Sequence, residues 1–251
     1  MSNDQHTGMT RTSIQRDHAL ICPASHVPVR FPEWPGCEAV VLISPEMGAK
    51  FTQMLVNLDA GATMAPLTAG EEWFVLVLEG RVTLSGHLEG VLDADGFASL
   101  AAATDWQIEA STGGRLLVFS KPYIATTDAL VPASFVSRLE DVPADPFLGD
   151  PGALLQVLLP DTSGYDWGIN LFEFVPGGTL PQVESHFMEH GLYLLAGQGV
   201  YRLGEHWYPV AAGDTIWMGP YVPQWFAATG KHNARYIYYK EMNRPPGAVP
   251  G

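Results

Sequence analysis

Residues 177–199 read GGTLPQVESHFMEHGLYLLAGQG, and the fold turns on whether this stretch is helix or strand. Read as a helix, His186-Phe-Met-Glu189-His190 spells H-x-x-E-H, an inverted zinc-peptidase pattern with histidines at i and i+4. That pattern needs several helical turns around it. Here Pro181 stands just before it, Gly191 follows at once, and Leu-Tyr-Leu-Leu runs into Gly197, which is strand grammar. Read as strand, Glu184 and His186 are two apart and share one face. His190 then lies across a bend on the next strand, and Gln224 arrives from a later one, beyond the turn at Gly213. A lone histidine here would be read as a structural residue satisfied by hydrogen bonds. A glutamate and two histidines at this spacing favour a site. Two nitrogen and two oxygen donors suit a divalent metal of intermediate hardness, such as manganese or ferrous iron. A closed thiolate zinc site is excluded, because no cysteine is near.

Working outward, the same punctuation occurs twice. Gly61, Gly80, Gly96 and Gln107 recur as Gly178, Gly197, Gly213 and Gln224, each 117 positions later. Around them a strand reaches a glycine turn, a strand–turn–strand run follows, and a third segment opens with Gly-Phe or Gly-Asp. Helix-friendly stretches are scarce, and 26 Gly and 20 Pro punctuate short apolar runs. The expectation is an all-β chain of two tandem jelly-roll-like β-barrels: residues 1–125, with an extended N-terminal segment, and residues 126–251. The joining stretch near 121–160 is rich in Pro, Ala and Asp, and residues 1–30 and the tail after Asn243 are expected to be extended or disordered. In the first copy the spacing puts Leu67, Ala69 and Trp73 at the first three donor positions and Gln107 at the fourth. One glutamine cannot hold a metal, so the first copy is expected to be a scaffold or dimerisation surface, with the only complete site in the second.

Composition narrows the function classes. A net charge of −14, with four lysines and nine arginines in no cluster, argues against nucleic acid or an anionic membrane as partner. The N-terminal 18 residues contain no apolar core of a signal, and nowhere do 18 apolar residues run together. A cytoplasmic protein, forming a homo-oligomer and acting on a small molecule, is the expectation. Cys22 and Cys37 are expected to be reduced thiols rather than a disulfide. Trp73, Trp207, Trp217 and Trp225 read as core or pocket wall. His87, His206 and His232 read as exposed, and Glu71-Glu72 and Glu140-Asp141 as solvated loop charge. No Ser-His-Asp grammar or phosphate loop is visible.

From Gly178 the spacing G-x5-E-x-H-x3-H-x6-G resembles the first cupin motif, G-x5-H-x-H-x3-E-x6-G, with Glu184 and His190 exchanged for its first His and its Glu. From Gly213, GDTIWMGPYVPQ resembles the second motif, with Gln224 in the place of its last His and its Pro and Gly shifted to Gly219-Pro220. A two-cupin (bicupin) chain with Glu, His, His, Gln in that order resembles the (S)-ureidoglycine aminohydrolase family of purine (allantoin) catabolism, from about residue 38 to 244. The resemblance implies one Mn2+ per chain, held by Glu184, His186, His190 and Gln224. It also implies a substrate pocket lined by Tyr201 and, on the last strand, Tyr236 and Lys240, with Glu184 touching the leaving amine and Glu184 and Lys240 as the catalytic pair. The implied reaction is hydrolysis of (S)-ureidoglycine to (S)-ureidoglycolate and ammonia. A cupin oxygenase or isomerase acting on a small carboxylate, or a non-enzymatic storage bicupin, are the rival readings.

Overall fold

A computed structural model describes residues 10–126 and 129–244. The expectation for the tail after Asn243 falls, beyond Arg244, outside the described residues, as does that for residues 1–9. The described chain is all-β, interrupted by three short 3-10 turns, and divides into two compact units. One is built from residues 27–142. The other combines residues 10–26 with 143–244. The division therefore differs from the 125/126 cut expected from composition. Residues 10–26 are also not a loose extension of the first copy: the strand His18–Ile21 pairs antiparallel with Thr215–Met218. Sequence patterning could not assign this segment, because four residues, His-Ala-Leu-Ile, carry too short a pattern to show which sheet edge they complete.

The first unit is a nine-stranded sheet dominated by two long strands, Glu71–Gly86 and Trp106–Pro122, which pair with each other along most of their length. Bulges at Ala110/Gly114 and Arg115/Leu116 bend the pair, so one strand contributes to both walls of an open, jelly-roll-like sandwich. The second unit uses separate strands for the same path. His190–Ala196 and Gln198–Leu203 replace the first long strand, and Gln224–Thr229 and Ala234–Glu241 the second. They form an eight-stranded and a three-stranded sheet, with the core between them built from residues such as Phe174, Leu203, Ile216 and Phe226. The repeated glycines have a physical cause. Gly80 and Gly197 have φ of +85° and +76°, and a Cβ on either would overlap the neighbouring strand's backbone, at Gly113 and Asn233.

Pairing aligns the two units residue by residue and shows how differently they fill the same interior. His190 opposes Lys240 where Trp73 opposes Ser120, and Leu203 opposes Gln224 where Gly86 opposes Trp106. The inward counterpart of Gln224 is thus Trp106. Gln107 points outward and is exposed, so the sequence alignment of Gln107 with Gln224 is corrected by one residue. Equal spacing misled because one residue more separates the two paired strands in the second unit. In the first unit Trp34, Trp73 and Trp106 pack edge to face, with ring centroids 6.2 and 5.5 Å apart, and close its interior with apolar rings.

Other expectations change with the tertiary structure. Glu72 is buried rather than solvated and receives the buried Lys121 Nζ at 3.4 Å. Trp207 is 56% exposed and belongs to neither core nor pocket. Cys22 and Cys37 are free and buried, and burial pushes both thiols up to about 11, which leaves them unreactive. No helix among the described residues is long and apolar enough to cross a membrane.

Candidate metal centre and active site

The quoted stretch is not helical. Glu184 forms an isolated antiparallel bridge with Gln224, exchanging both backbone hydrogen bonds at 2.9 Å. The chain then leaves regular structure, bends at Phe187, and re-enters a strand at His190. Glu184 and His186 therefore do not share a continuous strand, as alternation alone suggested. His186 is held instead by the turn at Gly219–Pro223: Tyr221 N–H donates to its carbonyl at 2.7 Å, and Ser185 Oγ donates to the carbonyl of Tyr221 at 2.9 Å.

The structure brings the predicted side chains to one cavity of about 170 Å3, lined by Glu184, His186, His190, Tyr201, Gln224, Tyr236 and Lys240. Its floor is apolar, with Leu192, Met218 and Phe172. His186 and His190 face each other with Nε2 atoms 3.3 Å apart, and Gln224 Nε2 lies 3.3 Å from His186 Nε2. Each histidine has its other nitrogen on a backbone carbonyl: His190 Nδ1 on Tyr239 at 3.1 Å, His186 Nδ1 on Met188 at 3.2 Å. A carbonyl only accepts, so both protons sit on Nδ1 and two Nε2 lone pairs point at one spot. Two facing lone pairs repel unless a proton or a cation lies between them.

A proton is the poorer solution. Burial, reinforced by His186, pushes His190 down to about 3, and burial also lowers His186, so both imidazoles stay neutral near pH 7. Burial raises the Glu184 carboxyl, against the pull of Lys240, and lowers the Lys240 ammonium, against Asp161 and Glu184. Burial thus leaves the imidazole lone pairs free for a cation, and a cation there would offset the charge of the Glu184 carboxylate. Among the described residues no three His, Cys, Asp or Glu side chains are gathered tightly enough to form a ligand cluster on their own. The third close donor is an amide. Gln224 Oε1 accepts from Tyr201 Oη at 2.9 Å. A half-turn of that amide exchanges its two atoms, offering Oε1 to a cation and Nε2 to the Tyr201 oxygen. The residues fit a divalent metal of mixed nitrogen and oxygen preference.

Residues 170–239 match the Cupin domain family. The chain is 41% identical over 244 residues to a probable (S)-ureidoglycine aminohydrolase of Oryza sativa subsp. japonica, covering 95% of this chain and 77% of the relative. It is 38% identical over 245 residues to (S)-ureidoglycine aminohydrolase of Arabidopsis thaliana, covering 95% and 80%. The chain belongs to the (S)-ureidoglycine aminohydrolase family. Members of that family are hydrolases acting on C–N bonds, and this chain is an enzyme of that class. Among solved structures, a putative glyoxylate induced protein from Pseudomonas aeruginosa superposes with a TM-score of 0.87 at 26% identity, covering 96% of this chain and 93% of that one.

The aminohydrolase cavity also contains residues to which the sequence assigned no role. Tyr238 lines it between Tyr236 and Lys240, and Asn170, behind it, donates Nδ2–H to its phenol oxygen at 3.0 Å. Strand alternation signalled Tyr238, which shares the face of residues 236 and 240. Asn170 carried no signal, since its partner lies 68 residues away.

Proposed function

We propose that this chain hydrolyses (S)-ureidoglycine to (S)-ureidoglycolate and ammonia, with one Mn2+ held by Glu184, His186, His190 and Gln224. The observation that carries the reading is the pair of imidazole lone pairs converging at 3.3 Å beside an amide, in a cavity that also holds a carboxyl and a lysine. When bound, the metal supplies Lewis-acid polarisation of the substrate and the attacking water. In the reaction a C–O bond forms to water, the C–N bond to the amine breaks, and the amine leaves as ammonia. Lys240 holds the substrate carboxylate, since an ammonium in this desolvated wall needs an anion beside it. Tyr201 and Tyr236, both neutral because burial raises their phenols, share a side-chain hydrogen bond and form the pocket wall beside the substrate. Glu184, while ligating the metal, would contact the leaving amine, and the proton given up by the attacking water goes to that amine as it departs.

The deciding experiment generates ureidoglycine in place from allantoate and follows ammonia and each ureidoglycolate enantiomer, with and without manganese. Enantiomer-specific, metal-dependent product is expected. Oxygen consumption with this substrate, or product formation indifferent to metal, would overturn the reading.

A further inference from the structure

We propose that Tyr238, oriented by Asn170, is a further substrate-contact residue that recognises the ureido carbonyl and so sets specificity for ureido over plain hydroxy acids. The inference rests on the proposed substrate. Asn170 on Trp167–Phe174 and Tyr238 on Ala234–Glu241 are directly opposed in adjacent antiparallel strands. Asn170 Nδ2 donates to the phenol oxygen at 3.0 Å, so the phenol's own hydrogen is not spent on that bond. Among the described residues no other side chain or backbone group takes that hydrogen, and the ring lines the cavity. The ring cannot swing away to find a partner. Phe172 stacks on it at 5.6 Å and 9°, and His190 meets it edge to face at 5.4 Å.

The first unit supplies an internal control. Met54 and Val118 form the matching cross-strand pair there and belong to its apolar core. The polar pair is therefore not a requirement of the fold. It also carries a cost, because Asn170 Oδ1 is buried without a partner. A fixed donor facing a cavity selects an acceptor. The carboxylate of the substrate is already assigned to Lys240, and the leaving amine is a poor acceptor once protonated. The ureido carbonyl is the remaining strong acceptor, and a substrate lacking it leaves the phenol unsatisfied.

The test measures binding of (S)-ureidoglycolate and of glycolate, which lacks the ureido group, to the manganese-loaded protein by calorimetry. Tyr238→Phe keeps the ring packing and removes only the donor. It is expected to weaken ureidoglycolate by about 10-fold or more while glycolate stays within about 2-fold. Asn170→Asp replaces a donor by an acceptor that captures the phenol's hydrogen. It should reproduce the loss, and the double variant should be no worse than either single one. Equal weakening of both ligands, or an Asn170→Asp protein with normal discrimination, would overturn the assignment and leave Tyr238 as a wall for His190. Wild-type protein that binds neither ligand would overturn the substrate reading and this assignment together.

Discussion

At the residue scale, burial disfavours the charged forms of the cavity's ionisable groups, most strongly at His190. His190 titrates near 3 when folded but near 6.5 when unfolded, so below pH about 6.5 the unfolded chain binds the proton and the folded one resists it. Its contribution to stability is complete above that pH and is lost as pH falls toward 3, at about 1.4 kcal/mol per unit. Urea denaturation of the metal-free protein should show about 2 kcal/mol more loss between pH 7 and 5 than His190→Asn shows; equal losses would mean the imidazole is not desolvated. Lys240→Ala should lower kcat/KM by about 30-fold to 4,000-fold, the equivalent of roughly 2–5 kcal/mol for an unpaired charge, with metal content unchanged. Lys240→Arg should rescue it only in part, because a planar fork is larger than an ammonium. His186→Ala and His190→Ala should each reduce metal affinity by orders of magnitude, and Gln224→Ala by less. The exposed Gln107→Ala should leave metal affinity unchanged. A Gln107 variant that behaved like the Gln224 one would contradict the alignment of Gln224 with Trp106.

At the element scale, two short segments hold the site in shape. The N-terminal segment is tied to the rest of the second unit by a bidentate pair, Arg11 to the fully buried Asp214, with both contacts at 2.9 Å. Buried His18 adds a bond from Nε2 to Tyr208 Oη at 2.9 Å. Arg11→Ala leaves a buried carboxylate short of its partner and should cost about 1–3 kcal/mol in urea denaturation. The exposed pair Arg30–Glu38 serves as control, and Arg30→Ala should stay within about 1 kcal/mol of wild type. The second segment is the turn at Gly219–Pro223. Tyr221 has φ of +65°, a conformation that favours glycine, and its backbone N–H holds His186. A non-glycine residue in that conformation costs about 1–2 kcal/mol. Tyr221→Gly should therefore melt higher than Tyr221→Ala. The reverse order would show that the tyrosine ring, although 62% exposed, anchors the turn.

At the scale of the whole molecule, one architecture occurs twice with opposite interiors. The second unit opens polar groups around a cavity, whereas the first fills the equivalent space with Trp73, Trp106, Leu84, Leu116 and Val118. Purified protein should accordingly bind one divalent metal per chain, and elemental analysis finding two tightly held ions would refute the single centre. Chelation should abolish activity and leave near-ultraviolet circular dichroism intact, because the apolar cores of both units form without the metal.

The sequence by itself determined the all-β class, the two-fold repeat, the family and the residues that gather at the cavity. Each of these is written in local signals: left-handed glycines, period-two alternation and the spacing of a few donor side chains. Other features were decided only by the tertiary structure. Which sheet edge receives His18–Ile21, which residue in the first unit faces Gln224's place, and which phenol Asn170 orients all depend on strand pairing between residues far apart in the chain. Register across a sheet is fixed by bulges and turn lengths summed along the path. A single extra residue there turns a side chain from the interior to solvent, as it does for Gln107, without disturbing any pattern legible in the sequence.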